Sequence, residues 1–465
     1  MQLLHSNQRL SMLQSFILFA LSVLVIVLRY PSYITSPRIW AEESIYLETF
    51  FSSSDLLDGF NALIYPAYYL LIPRISGLLA SLVQPENAAL ITTICGTLVL
   101  LLPIIIIVFG NSRYWSTLGQ KLILTSFLIF SCSTGEIWMN STNVGFIMAI
   151  VTFLILIDED IKNQYKNFFY GILLSLAILT GPISLLMSPF FLYRFIKNKE
   201  YVFLIYCFLF LLFGLFQISY FFISLSLETT VGNLNRGIFI SNSWLDSFFY
   251  WVSPNIIFPL FGYFFATGFR TIMIAGNQKS DQLDFLYEII PLNTDTSLAI
   301  VSFAVLIVAI TLISLLIAIF IYFFKRTNSD EKAYLMILFL YLSFVLTILS
   351  LGGHGGYRYS YVTSFILLFF LLQRMLFSIP KFEKNFLKII ISLSIFIGFI
   401  EYYPRVISFS PDFRSADEQK WPNWKNEVTI WKENADYNPK IWPNLREKTN
   451  IWPARSTVWK IDLNN

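Results

Sequence analysis

Two adjacent carboxylates stand out near the start of the sequence. Glu42 and Glu43 follow Trp40 shortly after the first long apolar run. Neighbouring side chains on a helix point about 100° apart, so the two carboxylates could not face one ligand equally. One of them could act as a general base while the other holds an arginine or a metal ion. Trp40 beside them is a candidate substrate ligand. The alternative is a solvated acidic loop that Trp40 anchors at a membrane surface.

The segment from Gly352 to Tyr359 has the most unusual local composition in the chain. Four glycines flank His354, and Tyr357 and Arg358 follow them. Glycine lets a backbone approach a ligand closely, and a guanidinium can bind a phosphate through two parallel hydrogen bonds. These residue types predict a phosphate-binding turn with His354, Tyr357 and Arg358 as candidate substrate ligands. The competing interpretation is a flexible turn whose arginine extends to lipid headgroups.

Three more polar residues beside apolar runs are candidate substrate ligands, namely Arg74, Glu136 and Asn140. Arg74 directly follows Pro73, and an arginine is costly at mid-membrane. Glu136 and Asn140 share one short turn between two apolar runs. A carboxylate in such a turn is either an exposed loop residue or lines a polar cavity, and both interpretations stay open.

Several familiar kinds of site are missing from the sequence. It contains no phosphate-binding loop, dinucleotide fingerprint, HExxH or CxxC pattern, so soluble nucleotide or zinc chemistry has no support. The formal net charge of +3 gives no indication of a nucleic-acid partner. The cysteines Cys95, Cys132 and Cys207 all lie in apolar runs and cannot form a secreted disulfide framework.

The composition predicts the kind of scaffold that positions these residues. The chain has 465 residues, of which 56% are hydrophobic and 13% are charged, whereas about a quarter of the residues in soluble domains are charged. Apolar runs recur between residues 12 and 403, and about 20 such residues match the hydrocarbon thickness of a bilayer. The runs lack the strict alternation of barrel strands. The predicted fold class is therefore an all-α, polytopic integral membrane protein.

Eleven apolar runs are candidate membrane spans, namely 12–29, 88–109, 121–134, 143–157, 167–181, 183–195, 201–223, 298–324, 333–351, 359–377 and 386–403. Two proline-containing stretches, 62–83 and 248–269, are ambiguous. If both stretches lie in the outer membrane interface and do not cross, most of the basic residues in the short loops fall on one side of the membrane. This charge bias predicts a cytoplasmic N-terminus and an extracytoplasmic C-terminus. Because the first apolar run lacks a small-residue cleavage site, it is predicted to be a retained helix and not a cleaved signal peptide.

The domain organisation follows from these spans. Residues 1–403 are predicted to form the transmembrane bundle, with long outer loops at 30–87 and 224–297. Residues 404–465 form a tryptophan-rich extracytoplasmic tail, whose indoles could stack on sugars or pack a small structure against the membrane. Because the cytoplasmic loops are too short for a folded domain, any chemistry is predicted on the outer face or inside the bundle.

An ordered set of short motifs resembles one protein family. The segment Trp40-Ala41-Glu42-Glu43 is similar to the WAE[DE] motif of bacterial multi-spanning membrane proteins of the GT-C glycosyltransferase type. One departure is Ser44, where that motif usually has glycine. Further matches follow in order along nearly the whole chain, namely Tyr65-Pro66-Ala67-Tyr68-Tyr69, Pro73-Arg74, Glu136 to Asn140 with Asn143, Thr180-Gly181-Pro182-Ile183-Ser184, Arg358-Tyr359 and the tryptophan-rich tail.

The resemblance implies a fold, a reaction and partners. Enzymes of the GT-C type transfer a sugar from a polyprenyl phosphate or pyrophosphate to an acceptor, here a cell-surface glycan, lipid or protein. By that resemblance Glu42 or Glu43 is the base and Arg358 binds the lipid phosphate. Arg74 and Glu136 are supporting groups. The implied location is the bacterial inner membrane, among membrane lipids. Some members use a divalent cation and others do not, so the cofactor stays open.

Two other functions remain open at this point. A transporter or flippase of lipid-linked sugars needs a polar path through the bundle and usually has internal repeats, whereas this sequence has few mid-span charges and no evident repeat. A non-catalytic membrane scaffold could use the tail to bind partners. The acidic first loop and the glycine–arginine segment would then have no chemical role.

Overall fold

The computed structural model describes most of the chain. The described residues are 11–29, 31–40, 42–53, 55–62, 68–131, 137–159, 163–227, 250–262, 265–267, 330–351, 357–376, 380–401, 423–434 and 436–441. Helix predominates in these ranges and they contain no strand. The all-α prediction is therefore confirmed for the described residues, while the predicted span 298–324 lies outside them.

Fifteen α-helices are named below, and the described residues 250–252, 258–262 and 265–267 are also helical. In chain order they are α1 (Met12–Arg29), α2 (Ser32–Thr35), α3 (Glu43–Ser52), α4 (Leu56–Asn61), α5 (Leu71–Ser81), α6 (Ala88–Phe109), α7 (Leu118–Ser126), α8 (Val144–Ile157), α9 (Gln164–Leu179), α10 (Ser188–Asn198), α11 (Tyr201–Leu227), α12 (Asp330–Leu351), α13 (Tyr361–Leu376), α14 (Lys381–Ile400) and α15 (Trp424–Glu433). Two π-helical turns, Phe127–Ser131 and Ser253–Ile257, add to them.

Local sequence signals explain where several of these helices begin. Helix α7 begins with a capping box, in which the Thr117 hydroxyl accepts from the Gln120 amide and the Gln120 side chain accepts from the Thr117 amide. The Asp55 carboxylate caps α4 by accepting from the Asp58 amide at 2.8 Å. Such caps satisfy amide groups that have no partner inside the helix.

The chain divides into two compact units. The first comprises residues 1–129, 133–231 and 402–465, and the second comprises 130–132 and 232–401. Helices α1 to α11 and α15 belong to the first unit, whereas α12, α13 and α14 belong to the second. The adjacent glutamates and Arg358 therefore lie in different units.

Four helices are long and apolar enough to cross a membrane, judged by length and composition. They are Met12–Arg29, Pro85–Phe109, Tyr201–Ile223 and Arg358–Leu376. They coincide with four of the predicted spans, at 12–29, 88–109, 201–223 and 359–377. Helices of this kind are consistent with an integral membrane protein. The count of eleven spans stays a prediction.

Helix α8, in the predicted span 143–157, is a short helix that is buried on almost every side. It has 14 residues, and all but Gly145 are buried. At about 1.5 Å per residue such a helix is about 21 Å long, less than the about 30 Å of a hydrocarbon core. A helix that is apolar on every side is suited to the interior of a bundle. The apolar run 143–157 therefore forms a buried core element of the first unit.

The two ambiguous proline-containing stretches also contain short helices. In 62–83 the described helix is α5, with 11 residues and Pro73 in its first turn, where proline is tolerated. In 248–269 the described residues include the π-helical turn Ser253–Ile257 and Gly262, which has a φ of +85°. Since about 20 residues are needed to cross a bilayer, neither described segment has the length of a single straight span.

The described part of the tail packs against the first long loop within the first unit. Helix α15 buries Trp424 and Val428 in a cluster with Ile39 and Leu47. The Trp424 indole donates to the carbonyl of Pro85 at 2.6 Å. Trp424 is only 1% exposed, so it packs as a structural residue. Most of the other tail tryptophans, namely Trp421, Trp442, Trp452 and Trp459, lie outside the described residues.

Candidate functional site

The start of α3 places the two glutamates in different environments. Glu42 is the N-cap residue and Glu43 the first residue of the helix. The Glu42 side chain makes no capping hydrogen bond. The Glu43 carboxylate instead folds back and accepts from the Trp40 amide at 2.8 Å. The expectation that the two carboxylates face different surroundings therefore agrees with this geometry.

Glu43 joins three separate parts of the first unit. One carboxylate oxygen accepts from the Trp40 amide and from the Thr92 hydroxyl at 3.2 Å. The other accepts from the amide and the hydroxyl of Ser141, at 2.6 and 2.8 Å. Glu43 is 2% exposed. Burial raises its pKa, whereas the hydrogen bonds from Ser141 and Trp40 and the charge of Arg38 oppose that rise. These contacts make Glu43 a structural anchor of the loop.

Glu42 differs from its neighbour in burial and in hydrogen bonding. Its side chain is only half-buried. Among the described residues, its carboxylate forms neither a hydrogen bond nor an ion pair. A general base needs an oxygen that is available to the proton it abstracts. Of the two glutamates, Glu42 is the one whose carboxylate meets this requirement among the described residues, and which of them is a base stays a prediction.

A group of tyrosines surrounds the next turn of α3. Tyr46 follows Glu42 by four residues, so both side chains lie on one face of the helix. The ring of Tyr46 is 3% exposed. Its hydroxyl interacts electrostatically with four nearby groups, namely Tyr68, Arg74, Tyr220 and Glu42, and burial raises its pKa well above the usual range.

Arg74 is buried and bound to protein oxygens. One terminal nitrogen donates to the Gly59 carbonyl at 2.9 Å, and the other donates to the Ala62 carbonyl and the Tyr220 hydroxyl, both at 2.7 Å. Its guanidinium carbon lies 4.5 Å from the centre of the Tyr69 ring. These contacts make Arg74 a positioning group for the loop between α4 and α5. A direct contact with a substrate stays a prediction.

Asn140 belongs to the turn that also carries Ser141. Its side-chain oxygen accepts from the Asn143 amide at 3.0 Å and from the Thr142 hydroxyl at 3.2 Å. Met139, just before it, has a φ of +51°, which is unusual for a residue other than glycine. Asn140 is 2% exposed, and these two hydrogen bonds are internal to the turn. They fix the backbone that presents Ser141 to Glu43.

The predicted residues of the glycine–arginine segment lie in the second unit or outside the described residues. Arg358 begins the apolar helix Arg358–Leu376 and is half-buried, with its guanidinium carbon 5.3 Å from the centre of the Tyr359 ring. Tyr357 is described by its backbone alone. His354 and Glu136 lie outside the described residues. A single site that joins Arg358 to the first loop stays a prediction.

Metal binding has no support in the described geometry. No group of three or more His, Cys, Asp or Glu side chains that could hold a metal ion occurs in the part of the chain that the structure describes. Glu43 is engaged by amides and hydroxyls. Whether the protein uses a divalent cation stays open.

Several residues of the site have no recognisable signal in the sequence. Thr92 and Ser141 bind Glu43 from 49 and 98 residues away. Gln217 lies in an apolar run yet accepts from the Tyr69 amide and donates to the Tyr69 carbonyl, both at 2.9 Å. The sequence does show that Gln217 is an isolated polar residue in an apolar run, but this pattern does not identify Tyr69 as its partner.

Comparisons with protein-family models, with curated proteins and with solved structures gave no significant match to this chain. The resemblance to the GT-C type therefore stays a prediction from the motifs.

Proposed function

We propose that this chain is a membrane glycosyltransferase of the GT-C type, built on eleven membrane-spanning helices. It transfers a sugar from a polyprenyl-phosphate donor to an extracytoplasmic glycan, lipid or protein. The observation that carries the proposal is the contrast between Glu43, whose carboxylate is hydrogen-bonded within the loop, and Glu42, whose carboxylate forms no hydrogen bond or ion pair with the described residues. A rigid support for one available carboxylate is what general-base catalysis needs.

In the proposed reaction Glu42 accepts the proton of an acceptor hydroxyl. The hydroxyl oxygen then forms a bond to the anomeric carbon of the donor sugar. The bond from that carbon to the phosphate oxygen breaks, and the polyprenyl phosphate leaves with the electron pair. A positioned general base contributes about 10² to 10⁴ in rate.

Glu43 acts in this scheme as a positioning residue. It fixes the backbone of Trp40 and links the start of α3 to Thr92 on α6 and to Ser141. Glu42 is the adjacent residue, so its backbone position depends on the same contacts. Arg358 is the proposed phosphate ligand, because a guanidinium can bind two phosphate oxygens at once.

Three further considerations support a lipid-borne donor. The motifs resemble those of enzymes that use such donors, and the sequence contains no nucleotide-binding fingerprint. The described chain contains four helices able to cross a membrane, which would give a lipid-linked sugar access from the bilayer. The proposed orientation has a cytoplasmic N-terminus and an extracytoplasmic tail in a bacterial inner membrane.

The test is transfer of a labelled sugar from polyprenyl-phosphate donors in membranes that contain the full chain. Glu42→Gln should lower transfer by about 10² to 10⁴, because glutamine cannot accept the proton. Glu48→Gln is the matched control, since Glu48 is a half-buried glutamate on the same helix, and it should retain activity. Full transfer by the Glu42 variant, or no transfer by the unmodified protein, would overturn the proposal.

A further inference from the structure

We propose that the outward side of the turn between α10 and α11 binds an anionic phospholipid. Six exposed side chains form this α10–α11 surface, namely Leu192, Tyr193, Ile196, Lys197, Lys199 and Tyr201. The apolar members contact the acyl chains, and the two lysines contact the lipid phosphate. Binding at this surface does not depend on the proposed sugar transfer.

One side of α10 is both apolar and exposed. Leu192, Tyr193 and Ile196 are 48%, 45% and 64% exposed, and their spacing puts them on one side of the helix. The opposite side packs on α11, where the centre of the Phe191 ring lies 5.8 Å from that of Phe203. Soluble proteins seldom group exposed apolar side chains in this way. Acyl chains are suitable neighbours for such a surface.

The following helix indicates the membrane level of this surface. The apolar segment Tyr201–Ile223 has 23 residues, or about 34 Å of helix, slightly more than the about 30 Å of a hydrocarbon core. Tyr201 begins this segment and is 80% exposed, and tyrosine is enriched where membrane meets water. When α11 crosses a bilayer, the preceding turn with Lys197 and Lys199 therefore lies at the level of the headgroups.

The basic residues of the turn give the surface its preference for an anion. Lys197 and Lys199 are both exposed, and the Lys197 ammonium lies 5.8 Å from the centre of the Tyr193 ring. The adjacent acidic residue, Glu200, forms an ion pair with Arg194 at 3.8 Å. The turn also belongs to the loops whose charge bias predicts the cytoplasmic side, where anionic lipids attract lysine and arginine.

The other described acidic residues near α10 are also balanced by basic ones. Arg194 donates to the Leu156 carbonyl, which brings the end of α8 close to α10. Two residues later the Asp158 carboxylate, which is buried, pairs with Lys166 at 2.7 Å. Glu159 pairs with Arg113 at the same distance. These carboxylates therefore leave the surface with a positive charge.

The backbone of Lys199 is the most specific indication that its side chain has a role. Lys199 ends α10 with a φ of +56°, and its amide donates to the Phe195 carbonyl at 2.7 Å. Glycine is the usual residue in this left-handed position, because other side chains adopt it at a cost. A lysine that keeps an unfavourable conformation at the membrane level is consistent with a binding function.

The experiment compares phosphatidylglycerol with phosphatidylcholine of the same acyl chains. Binding of each lipid to the full chain in neutral detergent micelles is measured by native mass spectrometry. The wild-type protein should prefer phosphatidylglycerol. Lys197→Gln/Lys199→Gln should weaken its binding about 5- to 25-fold, because each lysine near an anionic lipid contributes a factor of about five. Binding of phosphatidylcholine should not change.

Two further variants separate the surface from net charge and from folding. Lys425→Gln/Lys440→Gln removes two exposed lysines of the tail and should change the binding of neither lipid. Lys199→Gly removes one charge but suits the left-handed backbone. It should unfold at a temperature no lower than the wild-type protein and bind phosphatidylglycerol about fivefold more weakly. It provides the same comparison if the double variant of the surface does not accumulate.

Four results would overturn the assignment. The first is a wild-type protein that does not distinguish the two lipids, and the second is an unchanged affinity for phosphatidylglycerol in the surface variants. The third is equal weakening by the surface and tail variants, which would indicate net charge alone. The fourth is displacement of the lipid by an equal concentration of glycerol phosphate, which carries the phosphate without acyl chains.

Discussion

At the scale of residues, two chemically identical neighbours, Glu42 and Glu43, lie in different surroundings. Two amides and two hydroxyls donate hydrogen bonds to the Glu43 carboxylate. Glu42, at the start of α3, is half-buried. The sequence indicates both as candidates, because a motif records residue type and order. It cannot indicate which carboxylate is enclosed, because the enclosing groups Thr92 and Ser141 come from distant parts of the chain.

Arg358 provides a test of the predicted phosphate ligand. Arg358→Lys keeps the positive charge but loses the planar pair of donors, so we expect transfer to fall by at least about tenfold if the guanidinium binds phosphate through two hydrogen bonds. The measurement is the initial rate of sugar transfer at several donor concentrations. Arg113→Lys is the control, at an exposed arginine paired with Glu159. Normal transfer by Arg358→Lys would indicate a headgroup anchor instead.

At the scale of elements, close approaches at glycine determine how the site is assembled. A Cβ atom on Gly96 in α6 would lie 2.5 to 2.7 Å from backbone atoms of Asn140. The turn that carries Ser141 can therefore reach Glu43 because residue 96 has no side chain. The sequence shows a glycine inside an apolar helix but not the backbone segment that lies against it.

Gly96→Ala should destabilise the protein and lower transfer. The added methyl group collides with backbone that cannot move aside easily, and overpacking of this kind costs about 1 to 3 kcal/mol. Gly171→Ala is the matched control, because its Cβ would meet only Leu209 at 3.9 Å, an ordinary contact. Thermal unfolding in micelles should show a lower midpoint for Gly96→Ala alone. Equal midpoints for the two variants would contradict this account of the α6 contact.

The tail helix α15 is a second element whose position was not predictable. The sequence predicted a tryptophan-rich tail on the outer face, but tryptophan content does not specify which surface it covers. Trp424 is buried against the first loop and donates to the Pro85 carbonyl. The contact links the tail to the same loop that carries Glu42.

Trp424→Ala should release the tail from that loop. Replacing a fully buried tryptophan costs about 3 to 5 kcal/mol, and the hydrogen bond to Pro85 is lost as well. Limited proteolysis of intact vesicles should cut the tail faster in this variant than in Ile430→Ala, which alters a residue that is 42% exposed. Equal rates of cleavage would show that Trp424 does not hold the tail.

At the scale of the whole molecule, apolar length was the most informative property of the sequence. Runs of 18 or more residues predicted helices such as Met12–Arg29 and Tyr201–Ile223 correctly. Shorter runs were less informative, because a 14-residue apolar segment such as α8 can be buried among other helices without crossing a bilayer. Hydropathy does not distinguish burial in protein from burial in lipid.

The predicted orientation can be tested by cysteine labelling in sealed inner-membrane vesicles of known sidedness. Because the charge bias predicts that the first loop and the tail are both extracytoplasmic, Ser32→Cys and Asn464→Cys should both react from the extracytoplasmic side. Tyr165→Cys, in a predicted cytoplasmic loop, should react from the opposite side only. Reaction of Asn464→Cys from the cytoplasmic side alone would contradict the predicted topology.

The account depends most directly on the different roles of Glu42 and Glu43, and a paired comparison measures them. Sugar transfer and the thermal unfolding midpoint are determined for Glu42→Gln and Glu43→Gln. We expect Glu42→Gln to lose transfer by about 10² to 10⁴ with an unchanged midpoint. Glu43→Gln should lower the midpoint, because its amide nitrogen would face donors from Trp40, Thr92 or Ser141, at a cost of about 1 to 3 kcal/mol. A stable Glu43 variant without activity beside a fully active Glu42 variant would contradict the account.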